Sequence, residues 1–196
     1  MRTVNGAPTS SAADGPRVLI AFASHEGHTE RVVRRIADAL RRGGARVDVV
    51  PVEDEPHADD HDLVLVAGPI HAGRHDRQLE AWAGAHAASL AARPNALLTV
   101  SLTAHDEREG AGETLAGFDA ALREASGWAP DDALHVAGAL DFGRMNPIKR
   151  WMMRMIARSA GLIGKGDPRT GAHEWTDWSR VDAFAGYLLD RARRAT

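Results

Sequence analysis

Short apolar runs alternate with amphipathic segments along this chain, and that rhythm limits the folds open to it more than any other feature. Arg17 to Ala23 reads as a buried strand, Glu30 to Arg42 as a helix, and Arg46 to Val52 as a second, Val-rich strand. Leu63 to Ala67 is continuously apolar, as a strand buried on both faces should be. An Ala-rich helix from Gln78 to Ala92 follows, with Leu79, Trp82 and Leu90 inward, then a fourth strand from Ala96 to Leu102. Glu113 to Ser126 reads as a helix with Leu115, Phe118 and Leu122 on one face, and His135 to Leu140 as a fifth strand. Strands separated by helices imply crossovers and a parallel sheet. The expectation is an α/β, doubly wound, five-stranded parallel sheet in the order 2-1-3-4-5. Its ligand crevice then lies at the carboxyl ends of strands one and three.

The loop after the first strand fits such a crevice. Ser24, His25, Glu26, Gly27, His28 and Thr29 join strand to helix. Ser24, Thr29 and His28 can each donate a hydrogen bond, and Gly27 lets the backbone approach closely. Such a turn aims donors at one point, at the positive end of a helix, where a phosphate fits. No Gly-Lys-Ser/Thr closes the loop and no Gly-x-Gly-x-x-Gly opens it, so it is neither a triphosphate loop nor a dinucleotide fingerprint. An ordinary turn with Thr29 as N-cap is the other reading of these residues.

Behind this loop, Val32, Val33, Ile36, Ala37 and Leu40 recur at helical spacing, and Gly43-Gly44 ends the helix. A second loop, Gly68 to His75, follows the third strand and reads as a Gly/Pro connector or as a site loop in which Arg74 or His71 meets an anion. A third, polar and charged loop runs from Thr103 to Gly112.

Two segments depart from the repeat. Residues 1–16 have no apolar core and read as a disordered tail, with the domain proper at 17–194. Residues 141–175 read as an insertion. Within it Asn146-Pro147 starts a helix with an apolar stripe, Ile148, Trp151, Met152, Met155 and Ile156, amid Lys149, Arg150, Arg154 and Arg158. A basic amphipathic helix over 147–160 is the kind that lies on a membrane surface. Packing on the sheet or on a partner subunit in a homo-oligomer is the favoured alternative. Thr176 is expected to cap a last helix.

Composition removes several chemistries. Cysteine is absent, which excludes disulfides, thiol nucleophiles and cysteine-ligated metals. The net charge of −3 invites no nucleic acid. His57 and His61 could share a helix face as a metal pair, but Pro56 and the surrounding carboxylates favour a solvated loop, and no metal is expected. The expected location is cytoplasmic, at most peripheral to the inner face of the membrane.

The chain resembles the flavodoxin-fold, menaquinone-dependent protoporphyrinogen IX dehydrogenases. The resemblance is carried by Ser24-x-x-Gly27-x-Thr29, by Gly68-x-Ile70 with Gly73, and by Val100-Ser101-Leu102. Its most specific parts are Ala137-Gly138-Ala139-Leu140 before the Lys/Met/Trp-rich helix, and Trp175-Thr176-Asp177-Trp178. It implies non-covalent FMN, with the phosphate on Ser24 to Thr29. The ring would lie between Pro69, Ile70, His71, Ala72 and Gly73 on one side and Leu102, Thr103, Ala104 and His105 on the other. It implies oxidation of protoporphyrinogen IX to protoporphyrin IX with a quinone as acceptor, in haem biosynthesis. It names no catalytic acid or base. A flavodoxin-like FMN electron carrier without a substrate of its own is the alternative. The chain departs from the family at Ala72 and in the acidic run Asp106-Glu107-Arg108-Glu109, so that His71, His75 or His105 would have to press against the flavin.

Overall fold

Strand β1 (Arg17–Phe22) is an inner strand of the sheet, paired in parallel with β2 (Arg46–Pro51) on one side and β3 (Leu63–His71) on the other. The computed structural model describes residues 15–105, 111–141 and 172–196. β5 (Asn95–Ser101) pairs in parallel with β3, and β6 (Asp132–Ala137) with β5. The parallel order is therefore β2-β1-β3-β5-β6, the 2-1-3-4-5 order expected from the rhythm of the sequence. A two-residue strand, β4 (Arg74–His75), folds back antiparallel on the end of β3.

Alternation along each strand divides the core into two layers. Val18, Ile20 and Phe22 of β1 point to the face covered by α1 (His28–Arg42) and α5 (Trp178–Ala195). Leu19 and Ala21 point to the face covered by α2 (Arg77–Ala85), α3 (Ala87–Ala91) and α4 (Ala111–Ser126). The stripe read in the first helix is this contact: Val32, Val33, Ile36, Ala37 and Leu40 are all fully buried. Gly44, at φ +91°, turns the chain out of α1 towards β2.

Four local expectations need correction. The Ala-rich segment is two helices, broken at His86, whose ring stacks on Trp82 at 4.5 Å and whose Nδ1–H donates to the Trp82 carbonyl at 2.9 Å. The fifth parallel strand runs 132–137, earlier than the expected 135–140. Gly138 separates it from β7 (Ala139–Asp141), which pairs antiparallel with β8 (Ala172–Glu174). The third strand runs past the expected end at Ala67 to His71, so the segment read as a connector or a site loop is the end of β3 and a hairpin turn at Ala72-Gly73. The last helix is capped by Asp177, not Thr176: its Oδ1 accepts from the Ser179 and Arg180 amides at 3.0 and 3.2 Å. The tail up to residue 14 and the basic stripe over 147–160 lie outside the described residues. Among the described residues no helix is long and apolar enough to cross a membrane.

Candidate functional site

Ala23 makes the last sheet bond of the first strand, to the Ala67 carbonyl at 2.9 Å, and Ser24 then leaves the sheet. Gly27 adopts φ +79°, a left-handed turn that a side chain rarely adopts, and α1 begins at His28. No side chain caps this helix. The Arg31 amide bonds back to the Gly27 carbonyl at 3.1 Å. The Glu30 amide points at Ser24 Oγ at 3.4 Å, a long contact. The amides of the first turn are therefore held at the positive end of the helix with little to satisfy them. A Cβ placed on Gly27 would meet nothing within 4 Å, so the space before the helix is open. Thr29 is 3% exposed, and among the described residues its side chain has no hydrogen-bond partner. These donors fit an oxyanion.

The second loop is a β-hairpin whose two-residue turn, Ala72-Gly73, has φ +49° and +77°. Positive φ at both positions is the turn whose twist matches a hairpin, and Ala72 adopts it at a cost. His75 sits in β4 with its ring buried; its Nε2–H donates to the Phe118 carbonyl at 3.1 Å. Burial lowers the affinity of this imidazole for a proton below the ordinary histidine value, against the opposing pull of the Phe118 carbonyl and Asp119.

The two loops are joined directly. His25 Nε2 lies 2.6 Å from Asp76 Oδ2, across 51 residues of sequence. Asp76 is also the N-cap of α2: its Oδ1 accepts from the Gln78 and Leu79 amides at 2.8 and 3.2 Å. Burial works against the charge of this carboxylate. The Leu79 amide, the His25 ring and the Gln78 amide outweigh it and hold the Asp76 carboxyl below its usual range. The His71 ring lies 5.5 Å from that of His25.

His28 turns the other way. Its Nε2 is 2.9 Å from Thr176 Oγ1, which itself donates to the Ala137 carbonyl at 2.8 Å. One hydroxyl has one proton, so His28 Nε2–H must be the donor to Thr176. Its Nδ1 then carries the lone pair that takes Arg31 Nη2 at 3.0 Å. Burial first, and the Arg31 charge second, hold His28 below its ordinary basicity. With both ring nitrogens engaged, what His28 can offer an anion is its backbone N–H. Arg31 also pairs with Glu174 at 2.8 Å and lies 5.6 Å from the Trp178 ring. The end of β6, the β7–β8 ribbon and the start of α5 thus converge on the first turn of α1.

The third loop leaves β5 at Ser101, whose Oγ accepts from the Ala104 amide at 3.1 Å in a short turn over Thr103–His105. Helix α4, beyond it, is tied to the sheet by polar contacts. His135 donates from Nε2 to Asp119 at 3.1 Å, and Thr99 Oγ1 meets His135 Nδ1 at 2.6 Å. Residues 106–110 lie outside the described residues.

The fold therefore brings Ser24 to Thr29, Pro69 to Gly73 and Leu102 to His105 to the same carboxyl end of the sheet. A pocket of about 210 Å³ opens there beside the first loop, on its β2 side, and is lined by Ser24, His25, Glu30, Arg34, Glu53 and Gln78 over a floor of Phe22 and Val52. Sequence reasoning missed Asp76 and Thr176 as partners of the first loop. A signal for Asp76 existed in its position two residues before Gln78 as an N-cap; nothing in the sequence linked it to His25.

A model described as "Flavodoxin domain" matches residues 19–165. The chain is 29% identical over 180 residues to "Protoporphyrinogen IX dehydrogenase [quinone]" of Escherichia coli strain K12, covering 89% of this chain and 97% of that protein. It is 28% identical to the protein of the same name from Leishmania major, covering 89% of this chain and 75% of that one. Two solved structures share the fold. One is a short-chain flavodoxin associated with a non-canonical PDU bacterial microcompartment, at TM-score 0.54 and 14% identity over 90% of this chain and 99% of that one. The other is the flavodiiron protein from Giardia intestinalis, at TM-score 0.55 and 11% identity over 93% of this chain and 37% of that one.

Proposed function

The chain belongs to the flavodoxin domain family, and on that premise we propose that it is an FMN-dependent oxidoreductase that oxidises protoporphyrinogen IX to protoporphyrin IX with a quinone as acceptor. The observation that carries this reading is the match of nearly the whole chain, late segment included, to relatives named for that reaction. The uncapped, glycine-preceded N-terminus of α1 supports it, because the donors there suit a phosphate monoester.

In this reading the amides of the first turn and the hydroxyls of Ser24 and Thr29 hold the FMN phosphate. The hairpin Pro69 to Gly73 and the turn Leu102 to His105 flank the ring. When bound, FMN supplies the chemistry the side chains lack: it accepts two electrons with a hydrogen and passes them on. The protein contributes position. Asp76 fixes His25 against the hairpin, so the phosphate end and the ring end of the crevice keep a set spacing. The His28–Thr176 contact fixes the opposite side of the first turn.

The test is reconstitution with FMN, followed by anaerobic addition of protoporphyrinogen and then menadione. The expected outcome is bleaching of the flavin colour by protoporphyrinogen and its return with menadione. A stable FMN complex that protoporphyrinogen does not bleach contradicts the substrate assignment. A chain that holds no FMN contradicts the whole reading.

A further inference from the structure

We propose that His25 is the proton acceptor of this reaction and that Asp76 is its positioning residue. The inference rests on the reading above for its substrate, but its geometry is independent of it. Asp76 Oδ2 is ionised and can only accept, so the proton between the pair, 2.6 Å apart, sits on His25 Nε2 when the ring is neutral. Nδ1 then carries the lone pair. The His25 side chain is 54% exposed, against 9% for Asp76, so the carboxylate is the sheltered partner and the accessible ring lines the pocket beside the first loop. A buried carboxylate behind an accessible imidazole selects the tautomer and stabilises the imidazolium that forms.

Among the described residues the other histidine–carboxylate pairs lack this arrangement. His135, paired with Asp119, gives its second nitrogen to the fully buried Thr99. His61, paired with Asp48, sits next to Asp62, which bonds the amino end of β1, at the opposite end of the sheet. His28 has both nitrogens engaged. Among the described residues only His25 pairs a carboxylate with an accessible nitrogen at the carboxyl ends of the strands. The charged and titratable groups around it are Asp76 and His71 from the hairpin side, Glu30 and Arg34 from α1, and Glu53 after β2.

The chemistry requires such a group. Each two-electron step takes two electrons and two hydrogens from the macrocycle. One hydrogen leaves a bridging carbon with the electron pair, for the flavin. The other leaves as a proton, from a pyrrole nitrogen in two of the three steps and from the remaining bridging carbon in the third, and His25 Nδ1 accepts it. When the quinone is reduced it takes the electron pair with one hydrogen, and the His25 imidazolium returns the second proton. Substrate and quinone are then converted to oxidised substrate and quinol with nothing left over.

Three measurements test this. Nitrogen NMR of the FMN-loaded protein should show the neutral His25 ring protonated at Nε2. In Asp76→Asn, which keeps the helix cap through Oδ1, the amide Nδ2–H would face His25 and should move the neutral ring's proton to Nδ1 in the same spectrum. His25→Gln, loaded with saturating FMN, should have its flavin reduced by protoporphyrinogen roughly 100-fold more slowly than the unaltered protein. Reduction of FMN-saturated His25→Gln at the unaltered rate, or an unaltered protein with the ring protonated at Nδ1, each overturns the proposal. An unaltered protein that takes no electrons from protoporphyrinogen overturns the preceding reading and this one together; an unaltered protein that does, matched by His25→Gln, overturns this one alone.

Discussion

Replacing Thr176 with valine should destabilise the protein through two hydrogen bonds that share one oxygen. Thr176 Oγ1 donates to Ala137 and accepts from His28. Valine has the same shape and neither capacity, so packing is retained while the Ala137 carbonyl and His28 Nε2–H lose their partner. An orphaned buried group costs about 1–3 kcal/mol. Ala137 is 8% exposed, whereas the His28 ring is half-buried and water reaches part of it, so the lower end applies to each and the sum is about 2 kcal/mol. For a chain of this length that is a fall in Tm of roughly 4–8 °C. Thermal melts followed by circular dichroism measure it, with Thr176→Ser as the control that keeps the hydroxyl and should melt within about 2 °C of the unaltered protein. If Thr176→Val melts with the unaltered protein, the His28 tautomer deduced from this oxygen is wrong, and the late segment is not held to the first loop as described.

Further expectations come from the same loops. Ser24→Ala and Thr29→Val should each weaken FMN binding by about 10-fold or more, the worth of one hydrogen bond to a charged group, and should leave riboflavin affinity unchanged in a fluorescence titration. Ala72→Gly should raise stability: the left-handed alanine costs about 1–2 kcal/mol, the entropy of glycine returns about half of that, and a gain in Tm of about 1–4 °C in a calorimetric scan remains. The pH dependence has a definite sign. His28 and His75 both bind a proton less readily folded than unfolded, so their contribution is complete above the unfolded value of 6.5 and is lost as pH falls through their lower folded values. The unaltered protein should therefore melt at progressively lower temperature as pH falls below about 6.5, and His28→Gln should show a shallower decline.

What the sequence made legible follows from periodicity. The stripe from Val32 to Leu40 and the run from Leu63 to Ala67 needed no partner to be recognised, because burial on one or both faces is written in their spacing. The first loop was legible for the same local reason: Gly27 and the hydroxyls lie within six residues of each other. The hairpin tip was not, because Ala72 stands where asparagine or glycine would announce the turn. The break at His86 follows Gly84, but a single glycine inside an Ala-rich helical run does not by itself announce a break; the break also depends on a ring finding Trp82 one turn back. Thr176 looked like a cap because it precedes a helix, yet its hydroxyl is taken by a strand 39 residues earlier, and Asp177 caps instead. His25 and Asp76 are 51 residues apart, and only the parallel order of β1 and β3 brings them together.

The most direct test of the central claim compares the unaltered protein's affinity for FMN with that for riboflavin, in low salt and by the same fluorescence titration. The two ligands differ only in the phosphate. If two or three charge-assisted hydrogen bonds form at the start of α1, FMN should bind about 100-fold to 1,000-fold more tightly, with inorganic phosphate competing against it. Equal affinity for the two flavins would contradict the account, because the first loop would then hold no phosphate.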